Sequence, residues 1–240
     1  SSDLSLRQGE EVATGSMIWV QPPGTPAVGM AFLEAFEATG DDLYLEAAKK
    51  AAYALAWGQL ASGGWDYRID FDPEESSRYY YRRDLEAGDL ERGRRRNRTT
   101  LDDNTTQRAL RLLMRADRAT NFEDLKVHRA VIYGLDALLK AQYPNGAWPQ
   151  RYDAFPDPKR FPKVRARYPE TWSRTFQKES YSSHYTFNDN AIRDVISTLI
   201  EAYHTYGDSA YIAGAKRGGE FMVLAQMPEP QPSWAQQYNT

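Results

Sequence analysis

The segment Gln59-Leu-Ala-Ser-Gly-Gly-Trp65-Asp-Tyr67 returns in looser form as Gln142-Tyr-Pro-Asn-Gly-Ala-Trp148-Pro-Gln-Arg-Tyr152. It returns again as Gln226-Met-Pro-Glu-Pro-Gln-Pro-Ser-Trp234-Ala-Gln-Gln-Tyr238. The three tryptophans are 83 and 86 residues apart. Upstream of the first and third lies one kind of turn, Gly40-Asp41-x-x-Tyr44 and Gly207-Asp208-x-x-Tyr211, with a degenerate counterpart at Thr120-Asn121-Phe122. A period of this size marks a supersecondary unit copied along the chain, and stacked copies share one continuous core.

Between these marks the apolar residues keep helical spacing. Ile192, Val195, Ile196, Leu199, Ile200 and Tyr203 fall on one stripe of an amphipathic helix. Val131, Leu135, Leu138 and Gln142 repeat the pattern, as do Leu45, Ala48, Ala52, Leu55 and Gln59. Pro26 suits a first helical turn, Gly40 and Gly207 suit helix ends, and Asp41 and Asp208 suit the caps that follow. Three helical hairpins are therefore expected, 25–38 with 42–60, 104–119 with 123–142, and 189–205 with 209–225. No run of alternating residues announces a strand. The fold class is all-α, an α/α toroid of three repeated hairpins. Its long loops, 66–102 and 149–188, gather on the rim where the incoming helices begin, as binding walls often do.

Composition narrows the function. The 240 residues and their apolar content suit one domain across 1–240, and the absence of cysteine excludes disulfide and thiol chemistry. No stretch approaches the roughly 18 apolar residues of a membrane span, and the first residues carry no apolar leader. The net charge is −3, yet seven arginines face four acids between Arg82 and Arg98. Eight Lys or Arg face three acids between Arg151 and Lys178. Two basic loops on an acidic chain point to a local anionic ligand, and not to nucleic acid or a membrane. A monomer is expected.

Two helix starts hold the candidate chemistry: Leu101-Asp102-Asp103-Asn104-Thr105-Thr106-Gln107 and His184-Tyr185-Thr186-Phe187-Asn188-Asp189-Asn190-Ala191. Asp and Asn there are ordinary N-caps that complement the helix dipole. Two matching sites on one rim, each richer in carboxylate and amide than a cap requires, suit a hard cation such as Ca²⁺; zinc would want nitrogen or sulfur ligands. His184 shapes the Asp189 turn or joins the site, whereas His128 and His204 lack partner spacing. Tyr79, Tyr80 and Tyr81 form either a sugar platform or a packing cluster.

Taken together, Asp103-Asn-Thr-Thr-Gln107, Gln142-Tyr-Pro-Asn-Gly-Ala-Trp148-Pro-Gln150, His184-Tyr-Thr-Phe-Asn-Asp189-Asn-Ala191 and Trp234-Ala-Gln-Gln-Tyr238 resemble the pectic acid lyases, family 10 of the polysaccharide lyases. The resemblance spans nearly the whole chain. It implies a toroid that cleaves polygalacturonate by β-elimination, with Ca²⁺ bridging enzyme and uronate. It implies Asp103, Asn104 and Asp189 as metal ligands, and a secreted or periplasmic protein. Asn104, Trp148, Arg151, His184 and Asn188 are the candidate substrate contacts, Trp148 through an aromatic face and Arg151 (or Arg98 or Arg174) through a bidentate grip on a carboxylate. The family's catalytic arginine lies beyond the Trp234-Ala-Gln-Gln-Tyr238 motif, so no base is assigned. The expectation is a chain without its N- and C-terminal parts. Two other functions stay open: a uronan hydrolase or unsaturated uronyl hydrolase using Asp103 and Asp189 as an acid–base pair, and a non-catalytic acidic-polysaccharide-binding protein.

Overall fold

The computed structural model describes residues 7–8, 11–167 and 181–240. Among these residues six long helices carry the fold: α1 (Thr25–Thr39), α2 (Asp42–Trp57), α5 (Thr105–Ala119), α6 (Leu125–Lys140), α7 (Ala191–Tyr206) and α8 (Ser209–Leu224). Two short ones, α3 (Pro73–Ser76) and α4 (Arg82–Glu86), lie in the first rim loop. Helix α5 packs between α1 and α7, while α6 packs against α2 and α8. The hairpins thus stand side by side in two rows, as in an α/α toroid, and their ends fall within a few residues of those read from the sequence.

Local chemistry explains the turns at one rim. Gly40 and Gly207 close α1 and α7 in the left-handed region, at φ 72° and 73°. Asp41, Asp124 and Asp208 then cap the next helices, their carboxylates accepting from Leu43 N (2.9 Å), Lys126 N (3.2 Å) and Ala210 N (2.8 Å). The middle hairpin has no glycine here, and Asn121 and Phe122 take positive φ in its place.

The recurring Gln-x-x-x-Gly-x-Trp segment is a staple between hairpins. Gln59 Nε2 donates to Gly63 O (2.8 Å) and across to Ala130 O (2.9 Å) on α6. Gln142 Nε2 donates to Gly146 O (3.0 Å) and to Gly214 O (2.9 Å) on α8. Each glutamine ties the end of one outgoing helix to the next outgoing helix. Gly63 and Gly146 are required by sterics as well as by positive φ. A Cβ on either would lie about 2 Å from Ala137 Cβ or Arg217 O respectively. The tryptophans follow suit: Trp65 Nε1 donates to Leu55 O (2.9 Å) and Trp148 Nε1 to Leu138 O (2.8 Å). Between the staples, Leu110, Leu113, Leu135, Leu138, Val195 and Leu199 are fully buried in one apolar cluster that runs from Val20 to Ala225. Each such side chain contributes about 1.5–3 kcal/mol by leaving water.

The expectation of no strands needs correcting. Among the described residues there are four two-stranded antiparallel ribbons: β1 (Arg7–Gln8) with β2 (Glu11–Val12), β3 (Met17–Trp19) with β4 (Arg68–Asp70), β5 (Thr99–Thr100) with β6 (Arg151–Tyr152), and β7 (Tyr185–Thr186) with β8 (Gln237–Tyr238). Strands of two or three residues are too short to show alternation. The last three ribbons join the residues before each incoming helix to those after its outgoing partner. They set the register of the rim: the carbonyls of Tyr67, Gln150 and Gln236 accept from Val20 N (2.7 Å), Leu101 N (2.8 Å) and Phe187 N (2.8 Å). Tyr67 is therefore the counterpart of Gln150 and Gln236, and Ile69 is the counterpart of Tyr152 and Tyr238.

Candidate metal and substrate centre

The two aspartate turns are single 3₁₀ turns, Asp102–Asn104 before α5 and Asn188–Asn190 before α7. Asp103 and Asn104 have φ 49° and 60°, and Asp189 and Asn190 have φ 48° and 59°. Two successive non-glycine residues in the left-handed region cost on the order of 1 kcal/mol or more each. Neither α5 nor α7 receives a side-chain cap. The ordinary capping alternative for Asp103 and Asp189 is thus not realised: no side-chain cap forms at either turn or at the start of either helix. Gln107, fully buried, holds the two turns together, with Nε2 donating to Leu101 O (2.9 Å) and Ala191 O (3.3 Å). Its place in the Asp103–Gln107 motif was visible in the sequence, but its span to α7 was not.

The turns bring Asp102, Asp103 and Asp189 together, with one oxygen from each within 4.8 Å of the others. Asp102, which the sequence reading left out of the ligand set, is the most buried of the three. Asp103 Oδ2 accepts from Gln21 Nε2 at 2.5 Å, and Gln21 Oε1 accepts from Trp19 Nε1 at 3.1 Å. Asp189 accepts from Asn188 Nδ2. Asp102 Oδ2 accepts from the Tyr67 hydroxyl at 2.7 Å. Two oxygens are left over, Asp102 Oδ1 and Asn104 Oδ1, both buried and without a hydrogen-bond partner.

Desolvation, and then the charges of Asp102 and Asp103, hold the Asp189 carboxyl above the usual carboxylate range. Three close carboxylates repel one another unless a cation joins them. The donor set is oxygen only, Asp102 Oδ1 and Asn104 Oδ1 are buried and unpaired, and the set fits a hard divalent ion such as Ca²⁺.

Around the carboxylates, Arg151 places its guanidinium 3.8 Å from Asp102 Oδ2 and donates from Nη2 to the Tyr67 hydroxyl at 2.8 Å. Burial, with Asp102 beside it, pushes the Tyr67 phenol up to about 12, so the hydroxyl keeps its proton. His184 bonds locally through its backbone ahead of the Asp189 turn, donating to Tyr181 O (2.9 Å) and accepting from Thr186 Oγ1 (2.8 Å).

Other expected contacts lie elsewhere. Trp148 is a correction: it is wholly enclosed, with its indole N–H spent on Leu138, so it offers no face to a sugar. The tyrosine platform is corrected too, because Tyr79, Tyr80 and Tyr81 are buried. The nearby basic run serves the fold: Arg83 lies 3.5 Å over Trp57, Arg95 4.5 Å over Tyr80, and Arg92 pairs with Asp153 at 3.1 Å. Arg98 is exposed on the same loop, and Arg174 lies outside the described residues. A cavity of about 850 Å³ lined by Trp234, Arg165 and Tyr238 contains none of the three carboxylates.

A family model described as pectic acid lyase matches residues 76–205, more than half of the chain and both aspartate turns. The chain belongs to the pectic acid lyase family. Among solved structures this pectic acid lyase homologue is similar to a family 10 polysaccharide lyase from Cellvibrio cellulosa, with TM-score 0.52 and 18% identity over 89% of this chain and 56% of that one. A mutant of that lyase in complex with trigalacturonic acid gives TM-score 0.53 with the same identity and coverage. A cellobiose 2-epimerase from Bacillus thermoamylovorans gives TM-score 0.53 at 10% identity, over 90% of this chain and 45% of that one. At these identities the likeness shows the α/α toroid. The chain spans little more than half the length of the solved lyases it matches. A comparison with curated proteins finds no match.

Proposed function

We propose that this chain binds polygalacturonate through Ca²⁺ held by Asp102, Asp103, Asn104 and Asp189, in the service of β-elimination by a pectate lyase. The observation that carries the reading is the convergence of Asp102, Asp103 and Asp189, one oxygen of each within 4.8 Å of the others, in a turn whose Asp102 Oδ1 and Asn104 Oδ1 are buried and unpartnered. When bound, the ion supplies positive charge to a uronate carboxylate, which favours loss of the very weakly acidic C5 proton. The chain's own part is to orient. Gln107 locks the two turns, Gln21 fixes the Asp103 carboxylate, and Arg151 presents a guanidinium to a second uronate carboxylate. Asn188 and His184 line the same approach. The reading puts the protein with its polymer, secreted or in the periplasm, and acting as a monomer.

The hydrolase alternative is less well supported. A working acid–base pair needs two carboxylates about 5–9.5 Å apart, whereas here three converge, each offering an oxygen within 4.8 Å of the others, as ligands do. The test is calorimetric titration with trigalacturonate in Ca²⁺ and in EDTA, with ultraviolet detection of unsaturated product from polygalacturonate. Binding that disappears in EDTA supports the reading. Metal-independent binding, or new reducing ends without unsaturated product, overturns it.

A further inference from the structure

The metal reading leaves the Tyr67 hydroxyl without a role. In the rim register Tyr67 stands where the other repeats have Gln150 and Gln236. Its ring is stacked with Trp19, centroids 6.4 Å apart and planes 14° apart, and the Arg151 guanidinium lies 5.0 Å from the ring centroid. The hydroxyl donates to Asp102 Oδ2 (2.7 Å) and accepts from Arg151 Nη2 (2.8 Å). Arginine and aspartate therefore stand 3.8 Å apart, bridged through one neutral group and not hydrogen-bonded to each other. Arg151 Nε is buried without a partner.

We infer that Tyr67 is a spacer, a positioning residue that keeps Arg151 from closing onto Asp102. Without the hydroxyl, a guanidinium and a carboxylate this near would close into a direct charge-assisted pair. That pair would draw Asp102 away from its partners in the carboxylate cluster. It would also consume the guanidinium that faces a uronate. With the phenol between them, Asp102 keeps its place in the carboxylate cluster with Oδ1 unpartnered, and Arg151 keeps its charge for substrate. The inference rests on the proposed cation site for its consequence, though not for its geometry.

The variant Tyr67→Phe retains the ring and its stacking on Trp19 and deletes only the hydroxyl. Loss of an outer-shell partner typically weakens metal binding 10- to 100-fold, so Ca²⁺ affinity by calorimetry is expected to fall about tenfold. Adding Arg151→Met to Tyr67→Phe removes the intruding cation and is expected to restore Ca²⁺ affinity to that of Arg151→Met alone. A crystal structure of Tyr67→Phe is expected to show the guanidinium directly on Asp102. Unchanged affinity in Tyr67→Phe, or a loss that Arg151→Met does not rescue, overturns the spacer. If the unmodified chain binds no Ca²⁺ at all, the metal reading is what fails. The spacer is then judged by the crystal structure alone: contact between Arg151 and Asp102 upholds it, and continued separation overturns it.

Discussion

Aspartates begin helices at both rims of this toroid, and they behave in opposite ways. At one rim Asp41, Asp124 and Asp208 take extended or near-extended backbone and cap α2, α6 and α8 through their own carboxylates. At the other, Asp103 and Asp189 sit in the left-handed region, cap nothing, and point toward each other and Asp102. Capping is a local arrangement, complete within three residues. The left-handed turns carry a conformational cost and a repulsion that nothing local offsets. They persist because Gln107 and the rim ribbons hold them. A side chain kept in a costly position by its surroundings is where a function is to be sought.

The contrast can be broken most sharply at the carboxylates. Asp103→Asn and Asp189→Asn keep a side chain at home in the left-handed region and remove one charge. Each is expected to lower Ca²⁺ affinity on the order of 100-fold by calorimetry. Unfolding free energy in EDTA should hold or rise slightly, because one charge leaves a cluster of mutually repelling carboxylates. A large destabilisation without metal would return these residues to a structural role.

The opposite rim predicts the reverse pattern. Asp124 caps α6 and also accepts the Tyr53 hydroxyl at 2.5 Å, so Asp124→Ala should cost about 1–2 kcal/mol in denaturant unfolding. Its Ca²⁺ affinity should match the parent.

The smallest effect is a difference in titration. Arg115, bonded to Glu37 between α5 and α1, holds that carboxyl below its ordinary 4.5, whereas desolvation and neighbouring acids hold Asp189 above 3.8. A lowered acid adds stability above its unfolded pKa and loses it as pH falls through the folded value. A raised acid does the opposite, so Asp189 favours the folded state at low pH and the advantage fades as pH rises through its folded value. Carboxyl NMR titrations should separate the two in these directions, with Ca²⁺ moving Asp189 down and leaving Glu37 in place. Because Glu37 is largely exposed, Arg115→Ala should cost only about 0.5 kcal/mol, and the cost should vanish below the carboxyl titration.

Much of the fold was legible because its determinants are local. The apolar stripe of α7, the Gly40 and Gly207 stops and the Asp41 and Asp208 caps are decided within a turn or two of chain, and the repeat then implies that hairpins stack. The aspartate turns were legible as a pair for the same reason, since repetition put them on one rim. What they do there was not. Asp103 reads as a good cap from its neighbours, and only the left-handed backbone shows otherwise. Asp102 looked like a spare acid until the fold set it within reach of Asp189. Trp148 carried an aromatic face on paper that α6 and α8 bury entirely.

By itself, then, the sequence determined the helices, their stops and the threefold repeat, because each depends on side chains a few residues apart. The tertiary structure decided which carboxylates meet, which oxygens stay unpaired, and that Tyr67 stands between Arg151 and Asp102. Those facts depend on contacts between residues 35 to 87 positions apart, and no local rule of spacing reaches across them.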